Sequence, residues 1–192
     1  MPTTIVLVRH GETDWNRERR FQGHADTPLN DAGRAQAADL ADSLTSERLV
    51  AVYTSPLRRA YETAALIAIR LGLDVRPLDA LREIHVGDWE GLTIDEVRER
   101  YPEGASADWR SGWPGGETYE ELSARVLPAL VRLAHEHLNE RILVVTHAGP
   151  VRAALAAAMG LSYDDARPII GSLENCVAFR IAIRDGKLER VD

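Results

Sequence analysis

The sequence has a single cysteine, Cys176, so it cannot form an internal disulfide, and this is typical of proteins in a reducing compartment. It also lacks long apolar runs: stretches such as Ile142 to Val145 are far shorter than a membrane-spanning helix requires. The N-terminal residues have neither the basic segment nor the apolar core of a secretory signal. We therefore expect a cytoplasmic protein with no membrane partner.

Positive charge is scarce as well, with 23 lysines and arginines against 30 acidic residues and a net charge of -7. Proteins that bind nucleic acids need broad positive patches, so we expect no nucleic-acid partner. Metal-binding patterns are missing too. His135 and His137 are closely spaced, but helical residues two positions apart point in different directions and cannot coordinate the same ion. We therefore expect no metal and no cofactor.

The remaining composition, 45% hydrophobic and 28% charged over 192 residues, is that of an ordinary globular protein. The length predicts one domain over residues 1–192. Three short apolar, β-branched runs predict buried parallel strands, and a helical pattern follows each of them. These strands are Ile5 to Val8, Val50 to Tyr53 and Ile142 to Val145. We expect Asp31 to cap the first of these helices, Ser55-Pro56 to supply the cap and first-turn proline of the second, and Gly149-Pro150 to open the third.

The C-terminal part has a different pattern. Apolar residues alternate from Val177 to Ile183, and Asp185-Gly186 is a strong hairpin signal, so an antiparallel edge is predicted. Residues 93–118 are rich in proline, glycine and tryptophan and predict a cap-like loop. Thr118 and Glu121 form a capping box for the next helix, which Pro128 is expected to kink or divide. The whole chain is predicted to be an α/β protein.

Polar residues follow each of the three predicted strands. Arg9-His10-Gly11 follows the first, Arg58-Arg59 lies just past the second, and His147 follows the third. The carboxyl ends of parallel strands meet at one rim, where ligands bind. Arginine forks and helix N-termini at this rim favour a phosphate, and an imidazole there can attack phosphorus. A leaving alkoxide also needs a carboxylic acid, for which Glu12 and Glu83 are candidates.

The motifs occur in a characteristic order along nearly the whole chain: Arg9-His10-Gly11, Phe21-Gln22-Gly23 with Asn16 upstream, Thr54 to Ala60, Glu83 and His147. This arrangement resembles the histidine phosphatase superfamily, which includes the cofactor-dependent phosphoglycerate mutases. The resemblance implies a three-layer α/β/α, phosphoglycerate mutase-like fold with a mostly parallel sheet and an antiparallel edge strand. It also implies metal-independent hydrolysis of a small-molecule phosphorylated substrate.

The resemblance further assigns roles to single residues. His10 matches the phosphorylated nucleophile, and Glu83 matches the general acid and base. The phosphoryl oxygens would be held by Arg9, Arg59 and His147, assisted in substrate binding by Asn16, Gln22, Gly23 and Ala148. Arg58 is expected to be an exposed neighbour and Glu12 a structural residue, whereas pocket-lining and packing roles both remain open for His24, His85 and Trp89.

Two other functions remain open. A phosphoglycerate mutase needs a closed cap that excludes water. Mutases of this family carry a longer, more basic insertion after the general acid, so the short stretch 93–118 favours a phosphatase. A non-catalytic phosphate-binding protein is disfavoured because every expected catalytic residue is present. A monomer and a homodimer are equally compatible with the sequence.

Overall fold

A computed structural model of the chain describes residues 2–102, 113–184 and 186–191. Its centre is a six-stranded sheet in the order β3-β2-β4-β1-β5-β6. The strands are β1 Thr3–Arg9, β2 Ala51–Thr54, β3 Val75–Pro77, β4 Arg141–Thr146, β5 Ala178–Arg184 and β6 Lys187–Arg190. The described helices are α1 Asp14–Arg17, α2 Asp31–Ser43, α3 Arg58–Leu71, α4 Ile94–Arg100, α5 Tyr119–Glu136, α6 Ala148–Ala158 and α7 Tyr163–Ile170.

The sheet confirms the three strands predicted from apolar runs and adds the short strand β3. β4 lies between β1 and β2 and is parallel to both, with Val8 opposite Val145 and Thr54 also opposite Val145. β5 pairs antiparallel with β1, and β6 pairs antiparallel with β5, as the C-terminal alternation predicts. The carboxyl ends of β1, β2 and β4 therefore meet side by side.

The two faces of the sheet are covered by different helices, which gives the three layers. On one face, Ile5 and Val144 pack with buried residues of α5 and α6, such as Leu130 and Val151. On the other face, strand residues such as Val145 pack with α2 and α3. Strands buried on both sides must be apolar throughout, which explains why these runs lack the alternation of half-exposed strands.

The start of α5 agrees with the sequence analysis, and α6 begins at Ala148, directly before Gly149-Pro150, whereas the caps of α2 and α3 differ from those expected. Thr118 and Glu121 form the predicted capping box of α5. The cap of α2 is Asn30 rather than Asp31, which is the first helical residue. Ser55-Pro56 does not start α3: the helix begins at Arg58, whose N–H donates to Asp26 Oδ1 at 2.7 Å. The cap comes from a distant loop, which no local pattern could indicate.

The predicted division of α5 at Pro128 is wrong, since the helix runs unbroken through that residue. The predicted cap-like loop contains the short helix α4, which begins with a capping box of Thr93 and Glu96. Gly104, Trp109 and Arg110 of that loop lie outside the described residues. Within the described ranges, no helix combines the length and apolarity needed to cross a membrane.

Candidate active site

The carboxyl ends of β1, β2 and β4 open into a cavity of about 290 Å³. Eight of its lining residues come from the predicted motifs or their immediate neighbours: Arg9, His10, Asn16, Gln22, Gly23, Arg59, Glu83 and Ala148. His147 lies behind them, fully buried, with its ring centroid 5.2 Å from that of His10. Thus all nine residues that the sequence singled out lie in one place, as the topology of parallel strands requires.

His10 follows the last residue of β1 and is only 2% exposed. Its Nδ1 lies 2.7 Å from the carbonyl oxygen of Gly11. A carbonyl can only accept, so Nδ1 carries the hydrogen and Nε2 keeps its lone pair. Burial lowers the pKa of His10 well below its usual value, and the positive charges of Arg59 and Arg9 lower it further. His10 is therefore a neutral imidazole with a defined tautomer.

Gly11 holds this carbonyl in place because it contacts α2 without any side chain between them. A Cβ at Gly11 would lie 2.5 Å from the carbonyl oxygen of Gly33, so the close approach requires glycine. The N–H of Gly11 donates to Thr63 Oγ1 at 3.0 Å, which ties the same residue to α3. The main chain around His10 is thus fixed from both helices on this face.

Arg59, in the first turn of α3, is fully buried. Its Nη1 donates to the carbonyl of Ala25 at 2.7 Å, and its Nη2 donates to that of Gly23 at 2.8 Å. Burial lowers the pKa of Arg59 to about 10, although the carboxylate of Glu83 opposes that shift. Arg59 therefore remains a cation at neutral pH, held rigidly by carbonyl oxygens.

His147 is the N-terminal cap of α6, and its Nε2 lies 2.8 Å from Ser55 Oγ. Burial lowers the pKa of His147 well below its usual value, and the neighbouring Arg59 adds to the effect. Ser55 Oγ also accepts the N–H of Leu57 at 3.3 Å. When the hydroxyl of Ser55 donates to Nε2 of His147, the imidazole hydrogen is on Nδ1, which has no other partner among the described residues.

Three buried nitrogens at this site, Arg9 Nε, Arg59 Nε and His147 Nδ1, have no hydrogen-bond partner among the described residues. Arg9 is otherwise held by a hydrogen bond from Nη1 to the carbonyl of Leu173. Buried donors are seldom left unpaired, because each costs about 1–3 kcal/mol. Their arrangement around the cavity suits an anion with several oxygens.

Glu83 is positioned from α6 and from its own loop. Its Oε1 accepts the N–H of Gly149 at 3.0 Å and that of Ile84 at 2.9 Å. A Cβ at Gly149 would press against the same oxygen, so only glycine allows this contact. The carbonyl of Glu83 accepts from Arg125 Nη2 and from His24 Nε2, each at 2.8 Å. Glu83 is therefore held in place through both its side chain and its main chain.

The loop between β1 and α2 supplies the other predicted binding residues. Thr13 caps α1, and Asn16 Oδ1 accepts from the N–H of Thr13 at 3.1 Å. Gln22 Oε1 accepts from the hydroxyls of Thr13 at 3.0 Å and Thr27 at 2.6 Å. With their oxygens engaged, the amide groups of Asn16 and Gln22 are left to donate.

Several neighbours lie outside the cavity. Arg58 is an exposed residue that pairs with Glu62 at 2.6 Å, and Glu12 accepts from Asn30 Nδ2 at 2.8 Å, as expected of structural residues. His24 and His85 form an edge-to-face pair beside the loop of Glu83. Trp89 is buried against Phe21, so it packs rather than lines the cavity.

Sequence analysis missed the residues that line the rest of the cavity, and it mistook Ser55 for a helix cap. These lining residues are Arg20, Ile84, Val86, Trp113, Tyr119, Arg152, Tyr163 and Arg167, together with Phe21 and Gly149, which were noted only as motif members. They come from helices and loops with no strand end to place them. The described part of the chain contains no cluster of three or more histidine, cysteine or acidic residues suited to a metal ion.

Comparison with known proteins places this architecture in a family. The chain is 44% identical over 158 residues to a metal-independent phosphoserine phosphatase of Arabidopsis thaliana, covering 79% of this chain and 66% of that protein. It is 35% identical over 193 residues to a glucosyl-3-phosphoglycerate phosphatase of Mycolicibacterium vanbaalenii, covering 93% and 83%.

Solved structures agree with these sequence relationships. The structure of YhfR from Bacillus stearothermophilus superimposes with a TM-score of 0.90 at 34% identity, over 98% of this chain and 95% of that one. The fold is therefore phosphoglycerate mutase-like, with the mostly parallel sheet and antiparallel edge that the sequence indicates. A family model matches residues 5–191. The chain belongs to branch 1 of the histidine phosphatase superfamily.

Proposed function

We propose that this protein hydrolyses small-molecule phosphate monoesters through a phosphohistidine on Nε2 of His10. The observation that carries the proposal is the set of unpaired buried donors, Arg9 Nε, Arg59 Nε and His147 Nδ1, beside a neutral imidazole. A phosphoryl group supplies several acceptor oxygens at once and carries the negative charge that two arginines favour.

In the first step, the Nε2 lone pair of His10 attacks phosphorus, and the bond from phosphorus to the alcohol oxygen breaks. The protonated carboxyl of Glu83 gives its hydrogen to the departing oxygen, so a neutral alcohol leaves. The carbonyl of Gly11 stabilises the imidazolium that forms, because Nδ1–H donates to it at 2.7 Å. Little motion is needed, since these contacts exist before the substrate binds.

Charge on the transferring oxygens is stabilised by Arg9, Arg59 and His147. Stabilisation by donors already in place is the main catalytic requirement of phosphoryl transfer. His147 can contribute only if Nδ1 bears the hydrogen, since a lone pair there would repel the oxygens. Ser55 is therefore a positioning residue, because its hydroxyl fixes that tautomer through Nε2.

In the second step, Glu83 removes a proton from a water molecule, and the water oxygen attacks the phosphorus of the phosphohistidine. The phosphorus–nitrogen bond breaks, its electron pair returns to Nε2 of His10, and inorganic phosphate is released. Glu83 is then protonated again and ready for the next substrate. The two named relatives are phosphatases, which supports hydrolysis over transfer to a second hydroxyl as in a mutase.

We also propose that the enzyme works in the cytoplasm, which the single, part-buried thiol of Cys176 supports. The enzyme is proposed to act either as a monomer or as a homodimer. Light scattering coupled to size-exclusion chromatography distinguishes the two.

The test is His10→Ala assayed with p-nitrophenyl phosphate, with Arg58→Gln as the control. Turnover should fall by about 10⁵-fold or more in His10→Ala, as when a covalent nucleophile is removed, and stay near wild type in the control. Acid quenching of the wild type with radiolabelled substrate should trap an acid-labile phosphoenzyme that His10→Ala lacks. Undiminished turnover in His10→Ala would disprove the proposal, and inactivation by a chelator would reveal a metal requirement.

A further inference from the structure

The charge of the cavity exceeds what a phosphoryl group requires. Among the described residues, five arginines line it but only one carboxylate, that of Glu83; the arginines are Arg9, Arg20, Arg59, Arg152 and Arg167. Arg20 is paired with Glu18 at 2.8 Å and with Glu96 at 2.7 Å. Arg9 and Arg59 together match a phosphoryl dianion. Arg152 and Arg167 remain, and no described residue forms an ion pair with Arg152.

Arg152 is held in a fixed position with one donor unused. Its Nη1 donates to the hydroxyl oxygen of Tyr163 at 3.2 Å, and its Nη2 donates to the carbonyl of Gly171 at 3.0 Å. Its Nε is buried and has no partner in the described part of the chain. An arginine whose fork is already anchored loses little conformational entropy when the remaining N–H binds a ligand.

Tyr163 provides a second donor beside this nitrogen. Because its oxygen accepts from Arg152, its hydroxyl hydrogen is left for another acceptor. Burial raises the pKa of Tyr163, so the phenol keeps that hydrogen at neutral pH. The ring stacks on Tyr119 with centroids 4.0 Å apart and is 5.8 Å from the guanidinium carbon of Arg152. The ring is therefore engaged within this cluster, and its hydroxyl is the group left to bind.

The position of Arg152 relates it to the alcohol part of the substrate. It lies on α6, one helical turn after Gly149, so the two residues share a face of the helix. The N–H of Gly149 donates to the carboxyl group of Glu83, which in its protonated form gives its hydrogen to the departing alcohol in the proposed mechanism. A group bound by Arg152 therefore belongs to the alcohol, not to the phosphoryl group.

We infer that Arg152 Nε–H and the Tyr163 hydroxyl form a subsite for a carboxylate, so that the substrates are phosphate monoesters of hydroxy acids. One cation and one neutral donor match a singly charged carboxylate, whereas a second phosphoryl dianion would call for more positive charge. The inference rests on the proposed phosphatase function, and it identifies Arg152 and Tyr163 as specificity-determining residues.

The test compares substrate pairs that differ only by the carboxylate: O-phosphoserine with O-phosphoethanolamine, and 3-phosphoglycerate with glycerol 3-phosphate. Wild type should prefer the carboxylate member of each pair in kcat/KM by about 10-fold or more, as expected for a hydrogen bond to a charged group. Arg152→Gln should lower that preference by about 10- to 100-fold, chiefly through KM, and Tyr163→Phe should lower it by less.

Arg132→Gln, an exposed arginine of α5, is the matched control and should leave the preference unchanged. Arg152→Lys keeps the charge but lacks the Nε–H and guards against misfolding, since it can retain the contacts to Tyr163 and Gly171. Equal losses on both members of each pair would overturn the inference, as would a wild type without preference. If the proposed phosphatase function were itself wrong, the result would be distinguishable, because no substrate would be hydrolysed and no phosphoenzyme trapped.

Discussion

Two regions of the cavity are built in different ways. The floor, which we define as His10, Arg59 and His147, follows strand ends and is almost completely buried. The rim, which we define as Tyr119, Arg152 and Tyr163, comes from α5, α6 and α7 and is only partly buried apart from Tyr119. Floor side chains are fixed by main-chain carbonyls and a buried serine, whereas rim side chains are fixed chiefly by one another.

This difference separates the chemistry from the choice of substrate. In the proposed mechanism, a change in the floor removes charge stabilisation from the phosphoryl group, which every substrate shares, so it should slow all substrates alike. A change in the rim alters contacts with the alcohol, which differs from one substrate to another. Glu83 belongs to both regions, because in the proposed mechanism it protonates the departing oxygen and because its carboxyl group accepts the N–H of Gly149 in α6.

The largest effect that tests this division is expected from Glu83→Gln. An amide cannot protonate the leaving oxygen, so kcat/KM for alkyl phosphates should fall by about 10²- to 10⁴-fold. The fall should be much smaller for p-nitrophenyl phosphate, whose leaving group needs no proton. Steady-state assays of both substrates measure the ratio, with the exposed Glu136→Gln as the control. Equal losses on both substrates would contradict the role of Glu83 as the proton donor.

A somewhat smaller effect is expected from Gly149→Ala, which changes the support of Glu83 and leaves its chemistry intact. The added methyl group presses on Oε1 and displaces the carboxylate, so kcat for alkyl phosphates should fall by about 10²-fold, typical of a small misplacement. The melting temperature distinguishes this local effect from unfolding. Wild-type kcat in this variant would show that Glu83 tolerates displacement.

Ser55→Ala should lower kcat/KM by about 10- to 100-fold, through loss of the hydrogen bond that fixes the tautomer of His147. As a change to the floor, it should affect carboxylate and carboxylate-free substrates by the same factor. Nitrogen-15 NMR should show the His147 hydrogen on Nδ1 in wild type and a mixture of tautomers in the variant. The control is Ser43→Ala, because the hydroxyl of Ser43 donates to the carbonyl of Leu40, away from His147. An unchanged tautomer would refute the positioning role.

The smallest effect concerns stability rather than activity. The pKa values of His10 and His147 are lowered by burial, so the folded protein binds fewer protons than the unfolded chain in mildly acidic solution. The stability that they contribute is complete above about pH 6.5, the ordinary histidine pKa, and is lost as the pH falls toward their folded values.

Each histidine should therefore reduce the free energy of unfolding by at most about 1.4 kcal/mol per pH unit below pH 6.5. Urea titrations at several pH values measure this slope. The slope should be shallower in His147→Gln than in wild type. A slope in His147→Gln equal to that of wild type would show that His147 does not titrate in this way.

The floor could be predicted from the sequence because the topology of the sheet determines where its residues lie. Once apolar runs indicate parallel strands, the residues that follow them must meet at one edge, and His10, Arg59 and His147 do so. The rim could not be predicted in the same way. Whether Arg152 faces the cavity depends on how α6 is rotated about its own axis. Tyr163 belongs to the short helix α7, which no strong sequence pattern predicts.

Local signals also failed where the partner is distant in sequence. Ser55 resembles a helix cap, yet Asp26 caps α3 from another loop and Ser55 binds His147. Pro128 predicts a break that the packing of α5 against the sheet overrides. The extent of a single domain over residues 1–192 and the roles of the site residues stay predictions, which the variants above test.

In the proposed mechanism, the hydrogen bond from His10 to the carbonyl of Gly11 also determines which isomer of phosphohistidine can form. With Nδ1 committed to that carbonyl, phosphorylation is restricted to the nitrogen remote from the main chain, giving tele-phosphohistidine. The carbonyl is where it is because Gly11 lies directly against Gly33 of α2. The regiochemistry of a covalent intermediate is thus set by the contact of two residues that have no side chain.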